Sequence, residues 1–450
     1  MPSPRRRPRV LYVAFYFPPT RASGVHRAVA TANCLAARGW DVTVATPPRE
    51  FFERQLRSSD PSMESAVRED VTVERVPLAS HLPWERDVRR LGRVHRLAPV
   101  LAGDVHDGLR RLTVDEPYAL WVPPLLARAA RLHLRRRFDL VIATGNPFAS
   151  FVAAWALGRA LRIPYVLDYR DAWTLELFSE RPAFPADHPV WQWERRVLAG
   201  AAEAVFVNEP LRRWHQARYP FAADRMTVVP NGWEPELLAV EQHLSGPRPE
   251  PEPSAAAAAE RPLRFGYVGT LTDQLPLEQF FDGWRRAREH PELAGARLDL
   301  HGHLGFFPHH AERLAARMPL GSHGVEYRGP VAKADVAATY AGFDALVFLA
   351  GGARYVTSGK IFEYMATGRP VVSAHRPGIA AAEVLSGYPL WYGGDGLDPA
   401  ALSGALVKAA RAARAADPGL GEAARAHAAR YTREAALAPF EQRMRRMVDA

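Results

Sequence analysis

Short apolar runs alternate with predicted helices along the first half of the chain. The runs at 10–15 and 42–45 predict two strands, and the helix predicted between them ends at Gly39. Three further strands are predicted at 140–143, 165–168 and 204–208. Because these runs are apolar at nearly every position, we expect them to be buried on both faces of a parallel sheet.

The same alternation restarts after a segment of different composition. Residues 241–262 are rich in Pro, Glu and Ala without apolar periodicity, which predicts a linker. Beyond them, strands are predicted at 264–268, 297–300, 325–327, 345–349 and 370–373, and helices at 277–289, at 334–341 and from 399 onwards.

This order of elements predicts an α/β protein with two Rossmann-like domains, each a doubly wound parallel sheet. The first domain is predicted over 1–240 and the second over 263–450, with the linker between them. The last helix either stays with the second domain or packs back on the first, and the sequence does not decide between these alternatives. A chain of 450 residues has the usual length for two such domains.

Composition and termini narrow the class of protein. The single cysteine, Cys34, excludes an internal disulfide and a cysteine-built metal site, which favours a reducing cytoplasm. The N-terminus runs directly into a predicted strand without the pattern of a secretory signal. No apolar run approaches the roughly 20 residues of a membrane span.

The chain is basic, with a net charge of +9, and arginine supplies nearly all of its cations. Two arginine-rich stretches, 86–96 and 128–137, could attract nucleic acid, anionic lipid or a phosphorylated substrate. Solvated helix faces are the favoured interpretation, because only three lysines occur in the chain and arginine is its ordinary surface cation. We therefore expect no nucleic acid partner, and peripheral contact with the inner face of an anionic membrane stays an alternative.

Candidate chemistry is expected in the loops that follow the strands, because parallel sheets bind ligands at the carboxyl ends of their strands. The longest motif there is Ser-Gly-Lys-Ile-Phe-Glu-Tyr-Met-Ala-Thr-Gly-Arg-Pro-Val-Val at 358–372. Shorter ones are Phe-Gly-Tyr-Val-Gly-Thr at 265–270, Val-Pro-Asn-Gly at 229–232, Asp-Tyr-Arg-Asp-Ala-Trp at 168–173 and the loop from Pro18 to His26.

Together these motifs resemble the nucleotide-sugar glycosyltransferases of family 4, and they span nearly the whole chain. The resemblance implies the GT-B architecture, in which two Rossmann-like lobes face a cleft. It also implies a donor bound by the second lobe, a hydroxyl acceptor bound by the first, retention of anomeric configuration and no metal or other cofactor. The sequence does not select the acceptor, for which a lipid-linked glycan is one alternative.

Lys360 and Glu363 suit a nucleoside diphosphate sugar, because a carboxylate can accept from the ribose diol and a cation can bind the phosphates. Three residues apart at a predicted helix start, they project from nearly one face. Without the surrounding motif, Lys360 and Glu363 would be interpreted as an ordinary solvated ion pair. The full set of predicted donor-binding residues is Gly24, Gly269, Thr270, Arg354, Gly359, Lys360 and Glu363, where Gly269 is expected to offer its N–H to a phosphate.

The acceptor-side candidates follow strands of the first lobe and are Asn146, Asp168, Arg170 and Asp171. In the alternative, Arg170 bridges the two carboxylates and caps the strand. Lys360, Asp171 and His26 are the catalytic candidates, although a single histidine in a loop is more often structural or solvated.

Two features depart from the family pattern. Many relatives place an Arg and a Lys after the glycine turn of the second lobe, whereas residues 270–276 contain neither. Phosphate neutralisation is therefore expected from Lys360, Arg354 and backbone N–H groups. The family's earlier glutamate is also absent, because the position eight before Glu363 is Tyr355.

A metal site and two other functions are weaker alternatives. His301, His303, His309 and His310 do not match a zinc spacing, so no metal is expected. A nucleotide-sugar epimerase would share the two-lobe plan and would act on the donor without an acceptor. A protein that binds the nucleotide sugar without transferring it is the third alternative. The absence of the Arg and Lys found in many relatives leaves it open.

Overall fold

The computed structural model describes residues 6–22, 24–79, 98, 100, 104, 116, 118–235, 261–305, 310–332, 335–351, 354–393 and 396–449. The chain divides into two compact units. The first consists of residues 1–230 and 437–450, and the second consists of residues 231–436. The linker predicted at 241–262 lies outside the described residues except for its last two positions.

The first unit contains a seven-stranded parallel sheet in the order β3-β2-β1-β4-β5-β8-β9. A separate pair of short antiparallel strands, β6 and β7, follows β5. The strands are β1 (Arg9–Val13), β2 (Asp41–Thr46), β3 (Thr72–Arg75), β4 (Leu140–Thr144), β5 (Tyr165–Tyr169), β6 (Leu175–Glu176), β7 (Arg181–Pro182), β8 (Glu203–Phe206) and β9 (Met226–Val228).

Helices connect and cover these strands. The α-helices of the first unit are α1 (Val25–Ala37), α2 (Val122–Arg135), α3 (Ala149–Leu161), α4 (Val190–Gly200) and α5 (Glu209–Arg218). Shorter turns of π-helix at Phe51–Gln55 and of 3-10 helix at Pro61–Ala66, Ala119–Trp121 and Pro220–Arg225 complete the described connections.

The second unit repeats this architecture with a six-stranded parallel sheet in the order β12-β11-β10-β13-β14-β15. Its strands are β10 (Arg264–Val268), β11 (Arg297–His301), β12 (Val325–Gly329), β13 (Ala345–Leu349), β14 (Val371–Ala374) and β15 (Trp391–Gly393). The two doubly wound parallel sheets predicted from the sequence are thereby confirmed.

The helices that surround the second sheet vary widely in length. They are α6 (Leu277–Ala287), the 3-10 turn Pro291–Leu293, α7 (Ala311–Ala316), α8 (Val336–Ala341), α9 (Lys360–Ala366), α10 (Ala380–Leu385), α11 (Pro399–Ala415) and α12 (Pro418–Ala429). The core between α6, α11 and the sheet includes Phe280, Trp284 and Leu406, which are completely buried.

The helix α13 (Arg433–Asp449) contributes its residues from 437 onwards to the first unit. Leu437, Phe440 and Met444 join the apolar cluster that covers β1 and β2. The Trp40 indole N–H donates to the Glu441 carboxylate at 2.7 Å within this contact. The first sheet is therefore covered in part by a helix far from it in sequence.

Each sheet reverses its strand order once, between β1 and β4 in the first unit and between β10 and β13 in the second. The loops that leave neighbouring strands in opposite directions make a crevice at such a point, and ligands of doubly wound sheets bind there. The carboxyl edges of both sheets are therefore the places to seek a site. Within the described residues, no helix has the length and apolar character that a bilayer crossing requires.

Candidate functional site

Tyr364 fixes helix α9 to the carboxyl end of strand β10. Pairing between β10 and β13 stops at Gly266, which leaves the backbone of Val268 without a strand partner on that side. The Tyr364 hydroxyl accepts from the Val268 N–H at 2.8 Å and donates to its carbonyl oxygen at 3.0 Å. Burial raises the pKa of Tyr364, so this hydroxyl stays a donor. Lys360 and Glu363, on the same helix, are thereby held beside the end of β10.

Glu363 is the centre of a small polar cluster on α8 and α9. Its Oε2 atom accepts from Lys360 Nζ at 2.8 Å and from the Tyr340 hydroxyl at 2.6 Å. Burial, with the Glu363 carboxylate beside it, raises the pKa of Tyr340 and keeps this donor protonated. The other oxygen, Oε1, accepts no hydrogen bond from the described residues. The Glu363 side chain is 15% exposed and that of Lys360 33%, so a ligand can reach both.

The glycine turn after β10 lies against its neighbours through backbone contacts. A side chain at Gly302, whose φ is +136°, would overlap the carbonyl oxygen of Gly269. A side chain at Gly351 would likewise overlap the carbonyl oxygen of Gln274. The loops after β10, β11 and β13 therefore pack closely because these positions have no Cβ.

One expectation about this turn is wrong. The Gly269 N–H donates to the His301 carbonyl oxygen at 2.9 Å, because the pairing of β10 with β11 continues one residue past the strand. It is therefore not available to a phosphate. Thr270 follows, and its N–H donates to no described residue, while its carbonyl oxygen accepts from the Tyr267 hydroxyl at 3.0 Å.

Gly359 and Arg354 occupy the loop between β13 and α9. Gly359 is exposed, and a Cβ placed there would meet no atom within 4 Å, so its backbone is open to approach. Arg354 is also exposed, and its carbonyl oxygen accepts from the Ala380 N–H at 2.9 Å. Its guanidinium lies near Gly378, 3.8 Å from where a Cβ would stand.

In the first unit, Arg170 joins three loops at the carboxyl edge of the sheet. Its guanidinium fills the space where a side chain at Gly24 would lie, and it donates to the Asn146 carbonyl oxygen at 2.9 Å. It also lies over the Tyr16 ring, 5.8 Å from the centroid. Gly24, one of the predicted donor-binding residues, therefore makes room for an arginine of its own unit.

Asp168 forms a buried ion pair with Arg27, a residue that sequence reasoning did not select. Arg27 Nε and Nη2 donate to the Asp168 carboxylate, with distances of 2.8 and 2.7 Å, and Nη1 donates to the Val229 carbonyl oxygen at 3.0 Å. Burial opposes the charge of Arg27, yet the Asp168 carboxylate raises the pKa of Arg27 above its ordinary value.

This pair changes two interpretations of the motif at 168–173. Asp168 is 3% exposed and both of its oxygens accept from Arg27, so its assignment as an acceptor ligand does not fit the structure. The alternative in which Arg170 bridges the two carboxylates is wrong as well, because Arg170 donates to the Asn146 backbone instead.

The remaining first-unit candidates lie at the same edge. Asn146 Nδ2 donates to the Asp171 carboxylate at 3.5 Å, and the other oxygen of Asp171 accepts from the Ala172 N–H at 3.0 Å. His26 is exposed in the first turn of α1. Asn146, Arg170 and Asp171 thus form one polar group.

Glu116 is a further polar group at this edge that sequence reasoning missed. Its carboxylate accepts from the Phe148 N–H at 2.8 Å and from the Ala149 N–H, at the start of α3. Burial raises the pKa of Glu116 to about 7, although these two hydrogen bonds lower it. Glu116 therefore caps the helix that follows the Asn146 loop, and no sequence spacing links the two segments.

The histidines considered for a metal do not form a cluster among the described residues. His301 packs against Phe343, with 5.9 Å between ring centroids, and burial lowers its pKa. His309 lies outside the described residues. No group of three or more His, Cys, Asp or Glu side chains placed to hold a metal occurs in the described part of the chain.

Two family models match the chain in succession. The model described as "Glycosyl transferase 4-like domain" matches residues 23–232, and the model described as "Glycosyl transferases group 1" matches residues 262–410. No curated protein sequence matches the chain significantly.

Solved structures with similar folds cover nearly the entire chain. A glycosyltransferase from Rickettsia africae superposes with a TM-score of 0.65 at 11% identity, covering 98% of this chain and 99% of the other. Sucrose-phosphate synthase from Thermosynechococcus elongatus gives 0.62 at 16% identity with the same coverage. The Anabaena protein HepE, in complex with UDP and glucose, gives 0.56 at 14% identity, again covering 98% and 99%. At these identities the structures establish a common fold.

Proposed function

Because the chain belongs to the family 4-like glycosyltransferases, we propose that it transfers a sugar from a nucleoside diphosphate sugar to a hydroxyl group. The observation that supports this donor class best is the cluster of Tyr340, Lys360 and Glu363 beside the end of β10. It offers a cation, a fixed carboxylate and one free carboxylate oxygen at the edge where doubly wound sheets bind ligands.

In this proposal Glu363 holds the ribose. A ribose diol presents two hydroxyl donors, and Glu363 Oε1 is the acceptor that no described residue uses. Tyr340 and Lys360 both donate to Oε2, so the carboxylate is oriented before the ligand arrives. Such preorganisation lowers the entropy cost of binding.

Lys360 binds the diphosphate and stabilises it as it leaves. Its ammonium group has three donors, so it can keep the contact with Glu363 while it binds a phosphate oxygen. Negative charge grows on the leaving phosphate in the transition state, and a fixed cation there lowers the barrier. The exposed backbone at Gly359 and the N–H of Thr270 are further candidates for phosphate contact, with Arg354 in the same loop region.

The acceptor is bound in this proposal by the first unit. Asn146, Arg170 and Asp171 present amide, guanidinium and carboxylate groups, which can fix a hydroxyl-bearing ligand. Asp171 is also the group there that can accept a proton from the acceptor hydroxyl. Configuration is retained, and side chains take the place of a metal ion at the diphosphate.

Nucleotide binding should stabilise the folded protein. At about 100 times its Kd, a nucleotide contributes about 2.7 kcal/mol, a rise in Tm of about 5–10 °C for a unit of this size. We expect one of UDP, GDP, dTDP and ADP to give this shift in a thermal unfolding assay. Glu363→Gln should weaken binding of that nucleotide about tenfold or more, because the ribose hydroxyls lose a charged acceptor.

The matched control is Glu312→Gln, which changes an exposed carboxylate on α7 of the same unit. It should leave the shift intact. A shift that survives Glu363→Gln would place the nucleotide elsewhere, and no shift with any nucleotide would favour a protein without a donor site.

Transfer itself is tested by product analysis in the presence of excess EDTA. With the donor identified by the thermal assay and a panel of hydroxyl acceptors, we expect a glycoside whose anomeric configuration matches that of the donor, by NMR. The initial rate should not change when EDTA is added, because Lys360 and backbone donors neutralise the diphosphate.

Three results would contradict this proposal. Loss of the rate with EDTA and its recovery with a divalent ion would show a metal requirement. Conversion of the donor sugar to its epimer without an acceptor would show an epimerase. Nucleotide binding with no turnover on any acceptor would favour a protein that only binds the donor.

A further inference from the structure

A cavity of about 390 Å³ lies between α3 and α4 of the first unit. It borders Tyr165, the first residue of β5, and Gly200, three residues before β8, so it lies at the amino ends of these strands. The polar group of Asn146, Arg170 and Asp171 follows the carboxyl ends. A five-residue strand separates the two edges by roughly 16 Å.

The floor of this cavity is a tyrosine held between two glycines. A Cβ at Gly158 would lie 2.5 Å from the Tyr165 ring, and one at Gly200 would lie 2.6 Å from its hydroxyl. That hydroxyl donates to the Val197 carbonyl oxygen at 2.7 Å. Larger residues at either position would displace the tyrosine, so the floor is a fixed part of the fold.

Two of the residues that line the cavity, Arg159 and Arg196, are arginines that contact the same indole. The guanidinium carbons of Arg159 and Arg196 each lie 5.8 Å from the centroid of the Trp155 ring, and that of Arg196 lies 4.6 Å from the Trp193 ring. The two indoles contact each other edge to face at 5.7 Å. The aromatic rings therefore stabilise both guanidinium groups, and both arginines line the cavity.

These cations have no carboxylate partner among the described residues. Within the described residues, neither the Arg159 nor the Arg196 side chain forms an ion pair or a hydrogen bond. Arg225 is a further cation nearby, which donates to the carbonyl oxygens of Ala201 and of Ala199, a lining residue. Like charges repel where they converge, and a bound anion would relieve this repulsion.

We propose that this cavity binds a phosphate ester. Guanidinium groups present paired N–H donors that match phosphate oxygens, and the two arginines can bind one phosphate from two sides. The volume falls within the range of about 300–1,000 Å³ for small-molecule sites, which leaves room for the esterified group as well. The site is separate from the proposed donor site, which lies in the other unit.

The phosphate belongs either to a soluble ester or to a phospholipid headgroup, and the test separates these sources. Isothermal titration of the full-length protein with glycerol 3-phosphate, glucose 6-phosphate and inorganic phosphate measures the soluble arm. Sedimentation with phosphatidylglycerol vesicles, against phosphatidylcholine vesicles, measures the lipid arm. The same measurements on Glu363→Gln show whether a probe binds at the proposed donor site instead.

The decisive variant is the double substitution Arg159→Gln and Arg196→Gln. It should weaken binding of a phosphate ester or of anionic vesicles about tenfold or more, because charged hydrogen bonds are lost. Arg195→Gln is the matched control, since Arg195 is an exposed neighbour on α4 that lies over Phe221, outside the cavity. It should bind as the unchanged protein does.

Either arm supports the proposal if the double variant, and not the control, loses binding. Saturable binding of a soluble ester alone identifies a small-molecule site, and binding of anionic vesicles alone identifies a headgroup site. The proposal is overturned if no probe binds, or if the double variant and the control bind equally well. Because Arg159 and Arg196 belong to the first unit and Glu363 to the second, failure here is distinct from failure of the donor proposal.

Discussion

Replacement of Lys360 by methionine should lower kcat by about 100- to 1,000-fold, the usual cost of removing one preorganised group that stabilises charge in the transition state. Methionine is an unbranched side chain only one atom shorter, and it removes the charge. Residues 270–276, which follow the glycine turn, contain no cation that could share this task. The loss should therefore fall on turnover more than on nucleotide affinity, as steady-state kinetics with the identified donor would show.

Lys408→Met is the control, because Lys408 is an exposed lysine on α11 that is remote in sequence from the donor motif. It should leave kcat unchanged. Thermal unfolding of both variants separates a catalytic effect from a structural one, since Lys360 also donates to Glu363. A normal kcat in Lys360→Met would contradict this role of Lys360. Arg354 or backbone N–H groups would then be the groups that stabilise the leaving phosphate.

Replacement of Asp168 by asparagine should destabilise the first unit by about 3–5 kcal/mol, the usual cost of breaking a buried ion pair. The side chains of Arg27 and Asp168 are 8% and 4% exposed, so the remaining guanidinium would be left charged and desolvated. Urea unfolding, followed by a signal specific to the first unit, measures the loss. Nucleotide binding by the second unit should persist and report that the rest of the chain is folded.

A double substitution tests the cause of this loss. Arg27→Met combined with Asp168→Leu removes both charges, and buried pairs replaced in this way often lose little stability. We therefore expect the double variant to be more stable than Asp168→Asn. An Asp168→Asn variant within 1 kcal/mol of the unchanged protein would mean that solvent reaches the pair, and would restore Asp168 as a candidate ligand.

The sequence predicts the central strands better than the edges. β10 and β13 have the bounds that their apolar runs predict, because strands buried on both faces have few polar positions. The edge strand β3 (Thr72–Arg75) was missed, since it is short and mostly polar. For helix α2, the sequence favours a solvated helix face at 128–137 and does not predict the start of the helix, although its buried residues, Val122, Leu125, Ala129 and Leu132, follow helical spacing.

For the candidate site, the sequence predicts local pairs and misses distant ones. Lys360 and Glu363 are three apart on one helix, and their contact follows from that spacing. Tyr340 completes the cluster from another helix, and the partner of Asp168 is an arginine 141 positions earlier. The bonded N–H of Gly269 depends on pairing with a neighbouring strand. Contacts of these kinds depend on which strands and helices the fold brings together, and they produce no periodic pattern in the sequence.

Helix α13 has a consequence for the order in which the protein folds during synthesis. Trp40 and Glu441 are 401 positions apart, so the ribosome exposes β1 and β2 long before the helix that covers them. The second unit is complete once residue 436 has emerged, while the first still lacks part of its apolar cover. Domains that fold during translation usually do so from the N-terminus, and this topology reverses which unit is finished first. Until residues 437–450 have emerged, the first unit of the nascent chain keeps an apolar surface exposed, and this is the surface that chaperones would have to protect.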